Sequence, residues 1–143
     1  MLTEAQRFSF YKVNQSLGIA GNLPYLPLTL THQNTSLLAS GLLDTGATVN
    51  VMPYDIGKQL NAVWEQQATP VHLTGNLARV EARVLVVTAT VGQFTPIRLA
   101  FAWTRANSIP LILGQVNFFL EFDVCFFRTQ KIFEVRPKVT SNA

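Results

Sequence analysis

One short segment constrains the fold of this chain more than any other: residues 42–47 have the sequence LLDTGA. Asp44 directly follows two leucines that are typical of a buried strand, and Gly46 allows the chain to turn. An ionised carboxylate at the end of such a strand loses hydration unless hydrogen bonds hold it. The Thr45 hydroxyl and the N–H groups of a tight turn are suitable donors. The segment therefore indicates a carboxylate held in place by hydrogen bonds, although Asp/Gly turns after strands are also common without any chemical role.

A second apolar segment ends in glycine further along the chain. Residues 110–114 have the sequence PLILG and are followed by QVNFFL. In order, spacing and apolar flanks, the two segments together resemble the retropepsins, the retroviral-type aspartic proteases that carry one Asp-Thr-Gly-Ala per chain. Ile112, Leu113 and Gly114 match the second signature of that family, where a strand passes into a short helix.

The resemblance covers about residues 24–136 and implies a small, closed, β-barrel-like acid-protease fold, mostly β, with one or two short helices. We expect a single domain over residues 1–143, with an N-terminal extension (1–23) and a C-terminal tail (137–143). A chain of 143 residues suits one domain, because single domains of this length typically have one hydrophobic core.

Hydrophobic periodicity supports a mostly-β domain independently of the motifs. Residues 25–32 alternate apolar and polar side chains, which is typical of a strand with one buried face. Gly75-Asn76 predicts a tight hairpin turn. We expect strands over 8–13, 25–32, 37–44, 71–74, 77–80 continuing to 90, 94–103, 111–113, 123–127 and 132–135, helices over 51–60 and 115–121, and a loop over 18–24.

The composition is apolar for a globular chain. Hydrophobic residues make up 48% and charged residues 13%, against about 25% charged in an average domain. No apolar run approaches the ~20 residues that span a bilayer, and the N-terminus lacks the basic-then-apolar order of a signal peptide. These features predict a cytoplasmic protein without a membrane partner. The apolar surplus predicts a subunit interface.

A net charge of +3 raises the possibility of nucleic-acid binding. The eleven Lys and Arg residues are scattered, and the nearest approach to a cluster is near the C-terminus. That group contains Arg128, Lys131, Arg136 and Lys138. The excess reflects a shortage of carboxylates more than a basic patch, so we expect no nucleic-acid partner.

Other catalytic chemistries find little support in the sequence. His32 and His72 have no second ligand at metal spacing, so no metal is expected. No glycine-rich phosphate loop is present, and no cofactor is expected. Cys125 is the sole cysteine, which excludes a disulfide within the chain and predicts a small buried hydrophobe.

Peptide hydrolysis by carboxylates needs two acids, one to activate water and one to protonate the carbonyl oxygen. Asp55 and Asp123 are available, but positions at helix and strand termini explain both. A two-fold homodimer would supply the second acid as Asp44 of the partner subunit, because an isologous interface places a residue beside its own copy. Retropepsins have this arrangement, and the apolar surplus is consistent with it.

The resemblance implies a role for each residue of the active-site loop. Asp44 would be the catalytic carboxylate, and Thr45 would hydrogen-bond across the dimer. Gly46 would let the substrate backbone approach, and Ala47 stands where pepsin-like relatives often carry Ser. Ile112, Leu113 and Gly114, the second signature, would brace the loop from behind.

The resemblance also implies a flap that closes over substrate. The hairpin around Gly75-Asn76 occupies its place, and the flap and substrate-binding residues would be Leu73, Thr74, Gly75, Asn76 and Leu77. Well-known members have a glycine-rich flap tip, whereas this chain has a single glycine there. We therefore predict a homodimeric aspartic endopeptidase acting on a protein or peptide. The alternative is a catalytically weak or inactive module of the same fold, used for dimerisation or peptide binding.

Overall fold

The computed structural model describes residues 4–12 and 22–139. Within them the chain forms twelve β-strands and two short α-helices. The strands are β1 (Gln6–Ser9), β2 (Tyr11–Lys12), β3 (Asn22–Leu23), β4 (Tyr25–His32), β5 (Thr35–Leu43), β6 (Asn50–Met52), β7 (Pro70–Val71), β8 (Ala82–Thr90), β9 (Ile97–Thr104), β10 (Leu111–Leu113), β11 (Phe122–Phe127) and β12 (Ile132–Pro137). The helices are α1 (Tyr54–Gln59) and α2 (Phe118–Glu121). The predicted mostly-β fold with short helices is confirmed.

Six strands close into a barrel. They are hydrogen-bonded in the order β4-β5-β10-β6-β9-β8, and β8 pairs back onto β4 at Thr29↔Thr90 and Leu30↔Ala89. β7 continues this sheet beyond β8. Closure removes the free edges that would otherwise pair with other chains. The closed barrel predicted from the sequence is therefore confirmed.

Strand alternation fills the barrel with apolar side chains. Leu26, Leu28 and Leu30 of β4 are each no more than 1% exposed. Full burial of a leucine side chain contributes about 1.5–3 kcal/mol. The same buried cluster contains Leu85, Val87 and Ala89 of β8, Leu99, Phe101 and Trp103 of β9, and Phe133 and Val135 of β12. The three-stranded sheet β1-β12-β11 therefore packs its inner face on the barrel core.

Aromatic rings cover one part of this core beside α1. Trp103 stacks on Tyr54 with ring centroids 5.6 Å apart, and its indole N–H donates to the Tyr54 carbonyl oxygen at 3.1 Å. The guanidinium groups of Arg83 and Arg105 lie over the Trp64 ring, 4.7 and 5.0 Å from its centroid. Stacked cations shield the rings from water while keeping their own charge hydrated.

None of the helices in the described part of the chain has the length and apolar character to cross a membrane.

Both predicted helices are shorter than the sequence suggested. The helix predicted for residues 51–60 begins only at Tyr54, because Val51 and Met52 pair in β6 with Ala102 and Trp103 of β9. The helix predicted for residues 115–121 is reduced to α2, and the two residues before Asn117 are bound to a neighbouring loop instead. In both cases sheet pairing and loop contacts override local helix propensity.

The chain ends differ from the expectation in detail. The strand predicted for residues 8–13 begins earlier, as β1, which pairs with β12. Residue 13 and residues 18–21 of the predicted loop lie outside the described residues. The prediction that Cys125 is buried is wrong: the side chain is exposed, because it shares the outer face of β11 with Asp123.

Candidate active site

Asp44 is the first residue after β5 and begins a tight loop, residues 44–49, named here the Asp44 loop. Its N–H donates to the Leu113 carbonyl oxygen at 3.0 Å, and its Oδ1 accepts a hydrogen bond from the Gly46 N–H at 3.0 Å. The Ala47 N–H donates to the Asp44 carbonyl oxygen at 3.1 Å. The carboxylate is half-buried, whereas Thr45 and Gly46 are exposed. The loop thus presents a carboxylate at the surface with one oxygen held by a backbone donor.

The predicted second signature lies directly behind this loop. β10 runs parallel to β5, with Ile112 opposite Leu42 and Leu113 opposite Leu43. On its other side β10 pairs antiparallel with β6 at Ile112↔Val51. Because β5 leads into the Asp44 loop and β6 leads out of it, β10 fixes both ends of the loop.

Further hydrogen bonds join the loop to the segment that follows β10. The Gln115 N–H donates to the Ala47 carbonyl oxygen at 2.9 Å, and the Val116 N–H donates to that of Thr48 at 2.8 Å. The Gln115 side chain also donates, through Nε2, to the Thr45 carbonyl oxygen at 2.7 Å. Three carbonyl groups of the Asp44 loop, those of Thr45, Ala47 and Thr48, are therefore held from one side.

Gly114 allows the two segments to come this close. A Cβ atom at this position would lie 2.5 Å from the Val49 carbonyl oxygen and 2.9 Å from that of Ala47. Backbone atoms cannot give way as a flexible side chain can. Only glycine therefore fits between β10 and the Asp44 loop.

Sequence reasoning missed a buried amide in this region. Asn50 has no exposed surface. Its Oδ1 accepts from the Gly114 N–H at 2.8 Å, and its Nδ2 donates to the Ala100 carbonyl oxygen at 3.1 Å and to Asn117 Oδ1 at 3.0 Å. The available signal was a polar residue inside the apolar run VNVM at residues 49–52. A buried amide of this kind must find partners, because leaving it unpaired costs about 1–3 kcal/mol.

The predicted flap hairpin is wrong in its local geometry. β7 contributes only Pro70–Val71 to the pairing with β8, and residues 72–81 form a loop, named here the flap loop. A 3₁₀ turn over Gly75–Leu77 occupies its tip. A two-residue hairpin turn at Gly75-Asn76 would place Leu73 and Leu77 on opposite faces. Both instead pack into one apolar cluster, so the strands predicted for 71–74 and 77–80 do not form beyond Val71.

This apolar cluster, named here the flap cluster, is separate from the barrel core. Its buried members are Val51, Leu73, Ala82 and Ala102, and the partly buried side chains packed against it are Val49, Val71, Leu77, Ile109 and Ile112. The structure therefore brings Leu73 and Leu77 together with Ile112 of the second signature. Thr74, Gly75 and Asn76 are exposed at the tip of the flap loop and do not join them.

The other acids considered from the sequence lie on other elements. Asp55 is in the first turn of α1, and Asp123 is on β11 with its Oδ2 3.8 Å from the Arg136 Nε. Lys138 is likewise paired, with its Nζ 3.2 Å from Glu121 Oε2. Among the described residues, no group of three or more His, Cys, Asp or Glu side chains could hold a metal ion.

Comparison with known proteins identifies the class to which this fold and loop belong. Residues 30–116 match the family model described as aspartyl protease, a span that contains the Asp44 loop and β10. The chain therefore belongs to the aspartyl protease family. Its fold is retropepsin-like, as the resemblance implied.

A solved structure shows the same fold. The crystal structure of a retropepsin-like aspartic protease from Rickettsia conorii matches with a TM-score of 0.63 at 12% identity, covering 94% of this chain and 92% of that one. The EIAV protease complexed with the inhibitor HBY-793 matches with a TM-score of 0.49 at 21% identity, covering 66% of this chain and 83% of that one. Comparison with curated proteins gives no match.

Proposed function

We propose that the chain is an aspartic endopeptidase that acts as a homodimer, with Asp44 and Asp44 of the partner subunit activating one water between them. The observation that carries this proposal is the half-buried Asp44 carboxylate, held by the Gly46 N–H in a loop that β10 fixes on both sides. Membership of the aspartyl protease family supports it.

The surface around the Asp44 loop supports assembly of two chains. Thr45 and Gly46 are exposed beside the carboxylate. In the segment after Gly114, Val116 is 54% exposed and Leu120 is 60% exposed. Apolar side chains this exposed, on the segment that holds the Asp44 loop and the helix that follows it, are suited to burial against a second copy. Thr45 would then hydrogen-bond across the two-fold axis.

In the proposed reaction the two carboxyl groups share one proton, because two carboxylates about 3 Å apart cannot both ionise. The ionised carboxylate takes a proton from water as the water oxygen bonds to the scissile carbonyl carbon. The protonated carboxyl gives its proton to the carbonyl oxygen. Collapse of the tetrahedral intermediate then breaks the C–N bond, and the amine leaves with a proton from the dyad.

The proposed substrate is an extended peptide held between the Asp44 loop and the flap loop. The partly buried side chains of Leu77, Ile109 and Ile112 line the flap cluster and favour apolar residues near the scissile bond. The C-terminal basic residues Arg136 and Lys138 pair with carboxylates, which does not support a nucleic-acid partner. Cytoplasmic location and the extent of the domain, as expected from the sequence, stay predictions.

A second candidate function is a module of the same fold with little or no turnover. The irregular flap loop favours it, because a flap that closes poorly would admit water to the site. Turnover of casein or of a peptide library by the purified chain, with and without a pepstatin-type inhibitor, distinguishes the two candidates.

The test of the catalytic assignment is the substitution Asp44→Asn. It removes proton transfer with little change in volume. We therefore expect turnover to fall about 100- to 10,000-fold, with fold and assembly unchanged. Asp55→Asn and Asp123→Asn are matched controls and should retain wild-type turnover. Activity of Asp44→Asn comparable to that of wild type would exclude the proposed function.

The test of assembly is a dilution series with sedimentation measured alongside turnover. Specific activity should fall below the dimer dissociation constant, because each chain supplies one Asp44. Thr45→Ala should shift this fall to higher concentration, since loss of a buried hydrogen bond costs about 1–3 kcal/mol and symmetry doubles the number lost. A monomer with constant specific activity would place the second acid within the chain.

A further inference from the structure

We propose that Asn50 is a positioning residue for this reaction, acting through the Gly114 N–H to hold the Asp44 carboxylate in place. The proposal rests on the proposed function and adds a residue that neither the motifs nor the family match assigns. Asn50 does not touch the reacting atoms. Its role is to fix the backbone that carries them.

The contacts of Asn50 connect three separate segments. Its Oδ1 holds Gly114 at the end of β10, its Nδ2 holds the Ala100 carbonyl oxygen of β9, and its own N–H donates to the Val116 carbonyl oxygen at 3.0 Å. Asn117 completes the arrangement, because its Oδ1 accepts from both Asn50 Nδ2 and the Ala100 N–H, at 3.0 and 3.1 Å. The amide is fully buried, so its orientation cannot change without breaking these bonds.

Gly114 lies between the two backbone groups that hold the Asp44 loop. The residue before it, Leu113, accepts the hydrogen bond from the Asp44 N–H, and the residue after it, Gln115, donates to Ala47. A shift of Gly114 would therefore move both ends of the turn that carries the carboxylate. Proton transfer is sensitive to such shifts, because a displacement of about 1 Å can cost about 100-fold in rate.

Asn50→Leu tests the proposal, since it keeps the number and branching of the side-chain heavy atoms but removes all of the side-chain hydrogen bonds. We expect kcat per folded dimer to fall about 10- to 100-fold, with KM changed by less than about threefold, because the loss lies in the transition state. Thr104→Val is the matched control. Thr104 is also fully buried and polar, and within the described residues its hydroxyl bonds to the backbone of Ala106, two positions further along the chain. We expect this control to lower stability without lowering kcat.

A purely structural role for Asn50 predicts a different result. Both variants would then lose stability, and neither would lose kcat once the folded fraction is measured by inhibitor titration. That outcome would overturn the proposal. Should Asn50→Leu fail to fold, Asn50→Ser provides the same test, because its shorter hydroxyl cannot bond to both Gly114 and Ala100. Wild-type kcat in Asn50→Ser would equally overturn it.

Hydrogen exchange separates this proposal from the proposed function. The amides of residues 44–47 and 114–116 should exchange faster in Asn50→Leu than in wild type. Their exchange rates should be unchanged in Thr104→Val. This measurement does not depend on turnover. An inactive wild-type protein would refute the proposed function, whereas unchanged exchange in Asn50→Leu would refute the positioning role by itself.

Discussion

The Asp44 loop and the flap loop belong to the same proposed site but are held in different ways. Hydrogen bonds to one segment, residues 113–116, fix the Asp44 loop along its length, and the buried Asn50 amide in turn holds that segment at Gly114. The hydrogen bonds within the flap loop are local turns, such as Leu77 N–H to Thr74 and Ala78 N–H to Gly75. One bond at the end of the loop, from the Arg105 N–H to the Glu81 carbonyl oxygen, joins it to another segment, and apolar packing holds the rest. Directional bonds define one geometry, whereas apolar contacts tolerate small displacements.

This difference matches the roles proposed for the two loops. A carboxylate that transfers protons needs a fixed position before substrate arrives. A flap has to open for substrate and close over it, so its local opening must cost little free energy. Predictions that compare equivalent substitutions in the two loops can test this contrast.

The largest expected effect is that of Gly114→Ala, which acts on the Asp44 loop. The added Cβ would meet the Val49 carbonyl oxygen at 2.5 Å, so the two segments must separate. We expect a loss of about 1–3 kcal/mol in the free energy of unfolding and a fall of about 100-fold in turnover. Urea denaturation and kcat measured on the same preparation check this. Wild-type turnover in this variant would show that close approach at Gly114 is not required.

Sequence reasoning succeeded where local pattern and tertiary role agree. The alternation of Leu26, Leu28 and Leu30 predicted β4, and the family resemblance carried by the LLDTGA and ILG patterns implied that β10 braces the Asp44 loop. These elements depend on side-chain periodicity and on glycine at a fixed offset, and both are visible in one sequence.

Prediction from the sequence failed where a distant contact decides the local conformation. Gly75-Asn76 predicted a hairpin, but the packing of Leu73 and Leu77 into one cluster excludes it. The helix predicted from Val51 starts later because β9 takes that residue into the sheet. The partner of Asn50 lies 64 residues away, at Gly114, and no periodicity indicates such a pairing.

An intermediate effect is expected for Leu77→Ala in the flap loop. The side chain is partly buried in the flap cluster, so its loss should weaken closure over substrate more than global stability. We expect kcat/KM to fall about 10-fold, as for an apolar contact worth 1–3 kcal/mol, with a smaller change in the free energy of unfolding. Leu38→Ala is the matched control, because Leu38 is 74% exposed on β5. Equal kinetic effects of the two substitutions would remove the flap loop from the site.

The smallest effect is expected for Gly75→Ala at the tip of the flap loop. Gly75 has φ of 65°, which disfavours alanine, but a Cβ there would have no neighbour within 4 Å. The left-handed conformation costs at most about 1–2 kcal/mol for a non-glycine residue, and a loop held mainly by Leu73 and Leu77 can relax part of that strain. We therefore expect turnover to stay within about threefold of wild type, far from the ~100-fold loss expected at Gly114. Gly75→Asn should be milder still, because Asn tolerates this backbone conformation. Parallel kinetics on the three glycine variants measure the contrast directly, and a loss at Gly75 as large as that at Gly114 would mean that both loops require one fixed backbone geometry.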